Sequence, residues 1–413
     1  MAAAQPGKRR LALVGLGHRG VGMWGRELVA DYHPWIELVG LCDSNPLRRE
    51  RAPATIGIEV PVYAGLGEML RDTRPDTVIV CVPDDLHDEA IVQALEAGAD
   101  VITEKPMAVT AAQCRRILDA ERRTGRRVDV AFNYRYTPTF AKVKELLLSG
   151  AIGELQSVDF HWYLDVQHGA DYFRRWHARR DRSGSLFVHK ASHHFDLLNW
   201  FVQARPAEVF ARGELRRYGR RGPFRGQRCR GCEHAARCEF HLDIGQDPWL
   251  HGLYEEASRH DGYLRDACVF REEIDIPDTM SACLRYESGV QVSYSLNTYM
   301  PIEGYQLALN GLHGRIEVRQ HERHPWPQPP ADEIHVLPNR GTATRIWVPH
   351  GPRGHFGGDA GLQDRLFKPA TPDSLGQRAG AEAGAWAALC GVAAMRSVES
   401  GRSEPVALGT ETD

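Results

Sequence analysis

The sequence predicts a two-part α/β chain: an N-terminal doubly wound parallel sheet, then an α+β domain built on an open, mostly antiparallel sheet. Three observations predict it. Short apolar runs alternate with amphipathic stretches as far as Phe132, a glycine-rich turn closes the first run, and longer segments of alternating polarity take over beyond Tyr134. A length of 413 residues suits two domains.

The elements follow in order. Leu11–Val14 is a short strand, followed by Gly15-Leu-Gly17-His18-Arg19-Gly20 and an amphipathic stretch from Val21 to Tyr32. A second apolar run, Ile36–Cys42, ends in Asp43. Helical Leu66–Arg71, strand-like Thr77–Val82, helical Glu89–Ala97 and strand-like Asp100–Thr103 continue the alternation. Thr110–Thr124 is a helix with a Thr cap and with Ile117 and Leu118 facing inward, and Val128–Phe132 is again a strand. Residues 1–132 are expected to form the first domain and residues 133–413 the second. In the second, a helix (Thr139–Leu148) leads to strand-like Ser157–Asp165, Ala207–Leu215, Met280–Arg285 and Val290–Leu296. A Gly/Pro/Arg-rich stretch at 219–250 opens a Cys-containing insertion of about 219–270. A loop-rich region, 321–373, precedes a final helix at about 374–399.

Hydrophobic residues make up 42% of the chain and charged residues 25%, so a core of ordinary size is available. The net charge of −3 argues against a nucleic-acid or membrane-surface binder. No uncharged apolar run is long enough to span a bilayer. The opening MAAAQPGKRR suggests a twin-arginine export signal, but the apolar run behind it is short and flows directly into the glycine turn. It therefore reads as a first strand, and the cytoplasm as the expected location. The nine Cys are then expected to be reduced unless they bind metal. Only six Lys are present among 51 basic residues, so a Lys inside a motif stands out.

The glycine turn carries specific chemistry because of its context. Gly15 permits the tight turn, Gly17 lets backbone approach a pyrophosphate, and Gly20 lets helix and strand pack closely. His18 and Arg19 lie in the same turn, and the helix N-terminus offers free N–H groups to phosphate. Asp43 stands at the end of the next strand, where a carboxylate accepts from ribose hydroxyls and repels a 2′-phosphate. NAD is favoured over NADP, although Arg48 and Arg49 lie nearby.

Strand Asp100–Thr103 ends in Glu104-Lys105-Pro106. Together with the glycine turn (a Rossmann fingerprint), His87, the Phe132-Asn133-Tyr134-Arg135-Tyr136 junction, Gly153-Glu154 and Gly184–Asp196, this resembles the Gfo/Idh/MocA family of sugar oxidoreductases along nearly the whole chain. The resemblance implies that Pro83, His87, Glu104, Lys105 and Asn133 belong to the coenzyme site. It implies that Lys105 is a catalytic or substrate-orienting residue beside the nicotinamide, and that His193 is the general acid/base. The family often has Asp four residues before that His; here the position is His189.

Oxidising a secondary alcohol requires a hydride acceptor, a proton acceptor and a group that stabilises the developing alkoxide. His189, His193, Asp196 and Trp200 are expected on one helix face from their spacing. Lys190 would lower the proton affinity of the histidines. His189 and Lys190 are counted with Lys105 and His193 as catalytic candidates. The loop carrying His168, Asp171, Tyr172, Arg175 and Trp176 suits a sugar, whose CH faces stack on aromatics and whose hydroxyls need paired donors and acceptors. The same loop also suits simple packing. Arg135, Tyr136, His194 and Asp359 complete the substrate candidates.

Cys229-x2-Cys232-x5-Cys238, with Cys268 beyond, has the spacing of a structural zinc site. An iron–sulfur cluster and four reduced thiols are competing uses. Three functions stay open: an NAD-dependent dehydrogenase of a sugar, glycoside or inositol; a glycosidase or lyase that oxidises, eliminates, hydrates and returns the hydride; and a nicotinamide-binding sensor or scaffold. A small-molecule partner is expected, and the resemblance implies a homo-oligomer formed through the exposed face of the second sheet.

Overall fold

The computed structural model describes residues 7–409, apart from 328, 353, 370 and 371. Residues 1–6 of the stretch weighed above as an export signal lie outside them.

The first unit contains β1 (Arg9–Val14), π-wound turns over Gly20–Glu27 that continue as α1 (Leu28–Tyr32), β2 (Ile36–Cys42), α2 (Pro46–Ile56), β3 (Val62–Tyr63), α3 (Leu66–Thr73), β4 (Thr77–Val80), α4 (His87–Glu96), β5 (Asp100–Thr103), α5 (Ala111–Thr124) and β6 (Val128–Val130). Its six strands are all parallel, in the order β3-β2-β1-β4-β5-β6. Strand order reverses between β1 and β4, which puts a crevice beyond their C-terminal ends. Local sequence explains the helices. Thr110 and Gln113 close a reciprocal capping box on α5, and Gly125 ends it in the left-handed region. The Asn45 side chain accepts from the Leu47 and Arg48 amides to start α2, with Pro46 at the first position.

The second unit holds α6 (Pro138–Leu148), β7 (Leu155–Asp165), α7 (Val166–Arg174), α8 (Arg180–Ser183), α9 (Leu186–His189), α10 (Ala191–Val202), β8 (Pro206–Glu214), α11 (Pro248–Leu250), α12 (Ser258–Asp261), β9 (Thr279–Tyr286), β10 (Gln291–Met300), β11 (Glu303–Gly311), β12 (Gly314–Arg323), β13 (Ala331–Pro338), β14 (Thr344–Pro349), α13 (Gly358–Phe367), α14 (Ala381–Ser400) and β15 (Glu404–Pro405). Nine strands pair in the order β14-β13-β12-β11-β7-β10-β9-β8-β15, with β7 and β10 the one parallel pair. In β9 and β10 the alternation buries Met280, Ala282, Leu284, Val292 and Tyr294 beneath the helical layer. Ser281, Cys283, Arg285, Gln291 and Ser293 face outward, so along these two strands the face expected to meet another copy is polar, while Phe210 of the neighbouring β8 is exposed beside Cys283.

Several expectations are corrected. The loop-rich region holds the end of β12 together with β13, β14 and α13. The final helix begins at Ala381, seven residues later than the pattern suggested. Residues 166–174, read as loop, are helix α7, capped by the Asp165 side chain on the His168 amide. Finally, α13 packs away from its own unit: Leu362, Leu366 and Phe367 join Leu11, Leu13, Trp24 and Leu28 in the core beneath β1.

Candidate active site

The glycine turn sits where its sequence requires. Gly15 has φ +92°, and a Cβ there would lie 2.5 Å from the Cys81 carbonyl carbon; one on Gly20 would lie 2.0 Å from the Gly15 oxygen. Gly17 faces open space except for the Tyr254 hydroxyl, so backbone can approach a ligand there. Asp43 accepts from the Leu16 amide at 2.8 Å and the Asn45 amide at 2.8 Å, which fixes its carboxylate beside the turn. These groups fit a dinucleotide.

Four residues assigned to the coenzyme brace the surroundings of the crevice through contacts within the protein. Arg19 donates to Glu104 at 2.6 Å and, through two nitrogens, to Asp359 at 2.9 and 3.1 Å. Against the effect of burial, the Arg19 guanidinium and the His355 hydrogen bond hold the Asp359 carboxyl far below the usual range. Glu104 also accepts from Trp24 at 2.8 Å. Asp359, assigned to the sugar, is likewise consumed here, because it additionally takes the Asn133 amide at 2.7 Å and His355 at 3.0 Å. His87 lies between the carbonyls of Pro106 (2.7 Å) and Val82 (2.9 Å), tying the turn that bears Pro83 to the Lys105 segment. Asn133 keeps one free acceptor, a buried Oδ1 without a partner.

Around Lys105 the side chains are densely charged and buried. Its ammonium donates to the His189 carbonyl at 3.3 Å. Burial, joined by the Lys190 charge, lowers its pKa to about 8 against the pull of Asp84. Asp84 and His189 Nδ1 lie 2.5 Å apart and share a proton. Burial pushes Asp84 up and His189 down. The expected common helix face is broken: the helix divides at Lys190, where the His193 amide bonds three rather than four residues back. His189 therefore points to Asp84, while His193 stacks on Tyr134 with centroids 4.5 Å apart. His193 Nδ1 is buried without a partner. Burial, then Lys105, then Lys190 hold its imidazole well below the ordinary histidine range, so it is neutral. Lys190 donates to the Tyr134 hydroxyl at 3.1 Å and lies 5.0 Å over the Trp162 ring.

The substrate candidates divide. His168 meets Glu303 at 2.6 Å, remains partly open, and stacks on Tyr172. Asp171 is gripped by Arg265 and Arg175, and burial is outweighed by these arginines so that its pKa falls to about 2. Trp176 stacks on His177 with centroids 3.7 Å apart. Three candidates are structural. Arg135 makes a bidentate pair with Asp196 (2.7 and 2.6 Å), both nearly inaccessible. His194 is sealed between Trp162 (4.2 Å) and the Tyr294 hydroxyl (2.8 Å). Tyr136 packs against the β1-side core and over Gly361 of α13.

Sequence reasoning missed Asp84, Tyr134, Glu303 and Glu322. Asp84 had a signal, a carboxylate just past a parallel strand's C-terminal end. The two glutamates had none. Glu303 pairs with Arg323 and Gly304 with His321, so Glu322 is the extra residue of a β-bulge, the device that re-aims a side chain near a site. Burial, then the Glu303 charge, raise its pKa.

The four assigned cysteines line one cavity of about 10 Å³. Backbone N–H groups of His234 and Phe270 donate to Cys232 and Cys268 sulfurs at 3.4 Å, and the Arg174 guanidinium donates to Cys229 at 3.2 Å. Among the described residues, no group of three or more His, Cys, Asp or Glu side chains is arranged to hold a metal as it stands. No helix among those residues is long and apolar enough to cross a membrane.

A parallel sheet with a dinucleotide turn at its switch point, joined to an open sheet whose covering helices carry histidines and a lysine to the same crevice, defines a two-domain nicotinamide-dependent oxidoreductase. The chain belongs to the Gfo/Idh/MocA family: residues 9–132 match the oxidoreductase family's NAD-binding Rossmann model and residues 140–317 match the GFO/IDH/MocA C-terminal domain. It is 38% identical over 415 aligned positions, 94% of this chain and 96% of the relative, to the Bacillus subtilis protein named "Putative oxidoreductase YteT". An inositol 2-dehydrogenase of Salmonella paratyphi B is 33% identical over 33% of this chain and 41% of that protein. Among solved structures, the WlbA dehydrogenase of Bordetella pertussis with NADH and UDP-GlcNAcA has a TM-score of 0.66 at 21% identity, covering 97% of this chain and 100% of that one. The aldose-aldose oxidoreductase of Caulobacter crescentus has a TM-score of 0.66 at 16% identity, covering 96% and 99%.

Proposed function

We propose that this oxidoreductase transfers hydride between NAD and a hydroxyl-bearing carbon of a sugar, glycoside or inositol, with Lys105 and His193 managing the proton. The observation that carries this reading is the buried, unpartnered His193 Nδ1 in the field of the buried Lys105 ammonium, beside the fingerprint crevice. NAD, when bound, supplies the hydride acceptor. The chain's residues do the rest. Neutral His193 accepts the hydroxyl proton, and the Lys105 ammonium stabilises the oxygen as charge develops. His189 anchors Lys105 through its carbonyl and is itself fixed by Asp84. His168, Glu303, Glu322 and Tyr172 offer acceptors and a stacking face to a polyol, consistent with the sugar nucleotide and inositol in the relatives' names. NAD is favoured over NADP because Arg48 is held by Asp43 and Asp261 and Arg49 by the carbonyls of residues 43 and 44, leaving neither for a 2′-phosphate.

The test is a panel of free sugars, glycosides and inositols, followed by reduced-nicotinamide absorbance and product mass. At least one should yield NADH and a ketone or lactone; cleaved product without NADH would replace this reading by the oxidation–elimination one. The pH dependence has a defined sign. Lys105 acts as the ammonium, so kcat/KM for oxidation should be level below its pKa and fall as pH rises through about 8. Lys105→Arg, whose guanidinium stays charged, should move that limb upward by roughly two units or more. A limb unmoved in the variant would assign it elsewhere.

We also propose that the four cysteines hold a structural zinc. All four thiols share one small cavity, and N–H donors are aimed at three of the sulfurs. An ion would draw the sulfurs to tetrahedral distance and pin a long insertion that has little core of its own. Metal analysis should return about one zinc per chain, lost in Cys229→Ser together with a lower unfolding temperature. Iron with visible absorbance would mean a cluster, and a folded metal-free protein would end the proposal.

A further inference from the structure

The insertion between β8 and β9 crosses from the cysteine cavity to the coenzyme crevice. The Tyr254 hydroxyl accepts from the His18 amide at 2.9 Å, and it is the group that Gly17 faces, 3.3 Å from an ideal Cβ. In a turn of this kind, these backbone groups meet a dinucleotide's pyrophosphate. Trp249 Nε1 donates to His18 Nδ1 at 2.7 Å, and the Arg26 guanidinium lies 5.3 Å over its ring.

The remaining contacts grip the rim. Arg51 donates to the Gly252 carbonyl at 2.9 Å; Asn45 donates to the Ala257 carbonyl at 2.9 Å and to Asp261 at 2.8 Å. On the far side Arg265 clasps Asp171 through both nitrogens, and Asp266 receives Arg228 and the Arg230 amide. The segment is thus fastened at both ends and touches the fingerprint through a side chain between them.

We propose that residues 247–263 form the outer wall of the coenzyme site, with the Tyr254 hydroxyl donating to the coenzyme's phosphate. The phenol accepts from His18, so its own proton is left to give. A phosphate seated on the His18 amide needs only a small outward shift of the ring to receive it. The Asp43 carboxylate, held by the Leu16 and Asn45 amides, shares Arg48 with Asp261 of the segment, so the segment's rim anchor and the ribose-facing carboxylate are joined through one guanidinium. The opposite arrangement, a plug that coenzyme must expel, would require the ion pairs at both ends to break with each binding event.

The inference rests on coenzyme binding at the fingerprint but not on any choice of substrate. Two measurements on the full-length protein test it. Arg259 is exposed on α12; trypsin cleavage after it, followed by mass spectrometry, should slow when NADH saturates the wild type. In stopped flow, Tyr254→Phe should release NADH about ten-fold faster, the loss expected for one hydrogen bond to a charged group. Faster cleavage with NADH, or tighter coenzyme binding by Tyr254→Phe, would make the segment a plug and overturn the proposal, as would no change in either. Failure of the wild type to bind NADH would instead remove the coenzyme assignment and the wall with it.

Discussion

Lys105→Ala should lower kcat for alcohol oxidation by about 10³-fold while leaving NADH affinity within a few-fold of wild type. Removing the ammonium takes away the charge that steadies the developing alkoxide. It also removes the cation that, after burial, does most to keep His193 neutral. The contacts of the glycine turn and Asp43 do not pass through Lys105, so coenzyme titration by fluorescence should separate the two effects. A variant that turns over normally would show that the proton is handled elsewhere.

Asp196→Asn should cost about 3–5 kcal/mol of stability, read by urea unfolding, because it strands the Arg135 guanidinium in the interior. Both partners are nearly inaccessible, and burial raises the Asp196 pKa even against that guanidinium. Such a pair contributes less by its attraction than its breakage costs. Arg135→Met combined with Asp196→Leu should therefore recover most of the loss. If the single variant were as stable as wild type, water would have to reach Arg135, contrary to its burial. The pair joins the turn after β6 to α10, so it sets where His193 stands relative to the Rossmann sheet.

Much of the first unit was legible because its signals are local. The alternation, the Thr110 cap and the three glycines each act over a few residues, and all stand where the pattern put them. Helix α2 escaped notice because its arginines and internal proline obscure the apolar period, although Asn45-Pro46 is a start signal. In the second unit, β13 carries charge on its strand and follows a proline-rich stretch, which reads as loop until a neighbouring strand supplies the other half of the ladder. The site divides the same way. Lys105 and His193 could be nominated from sequence because they lie in motifs. Glu303 and Glu322 reach it through a register shift between two strands, and the partners of Arg19, Arg135 and Asp359 lie hundreds or tens of residues away. A polar residue in a motif looks the same in sequence whether its hydrogen bonds go to a ligand or to the protein.

The placement of α13 bears on how the molecule is made. Its Leu362, Leu366 and Phe367 fill the layer beneath β1, and Asp359 at its start neutralises Arg19 in the phosphate turn. The nucleotide-binding half precedes α13 in the chain and therefore lacks part of its interior until residue 367 has been synthesised. Leu11, Trp24 and Leu28 gain these neighbours only late in translation, so residues 1–132 made alone should be less stable than the same residues within the whole chain.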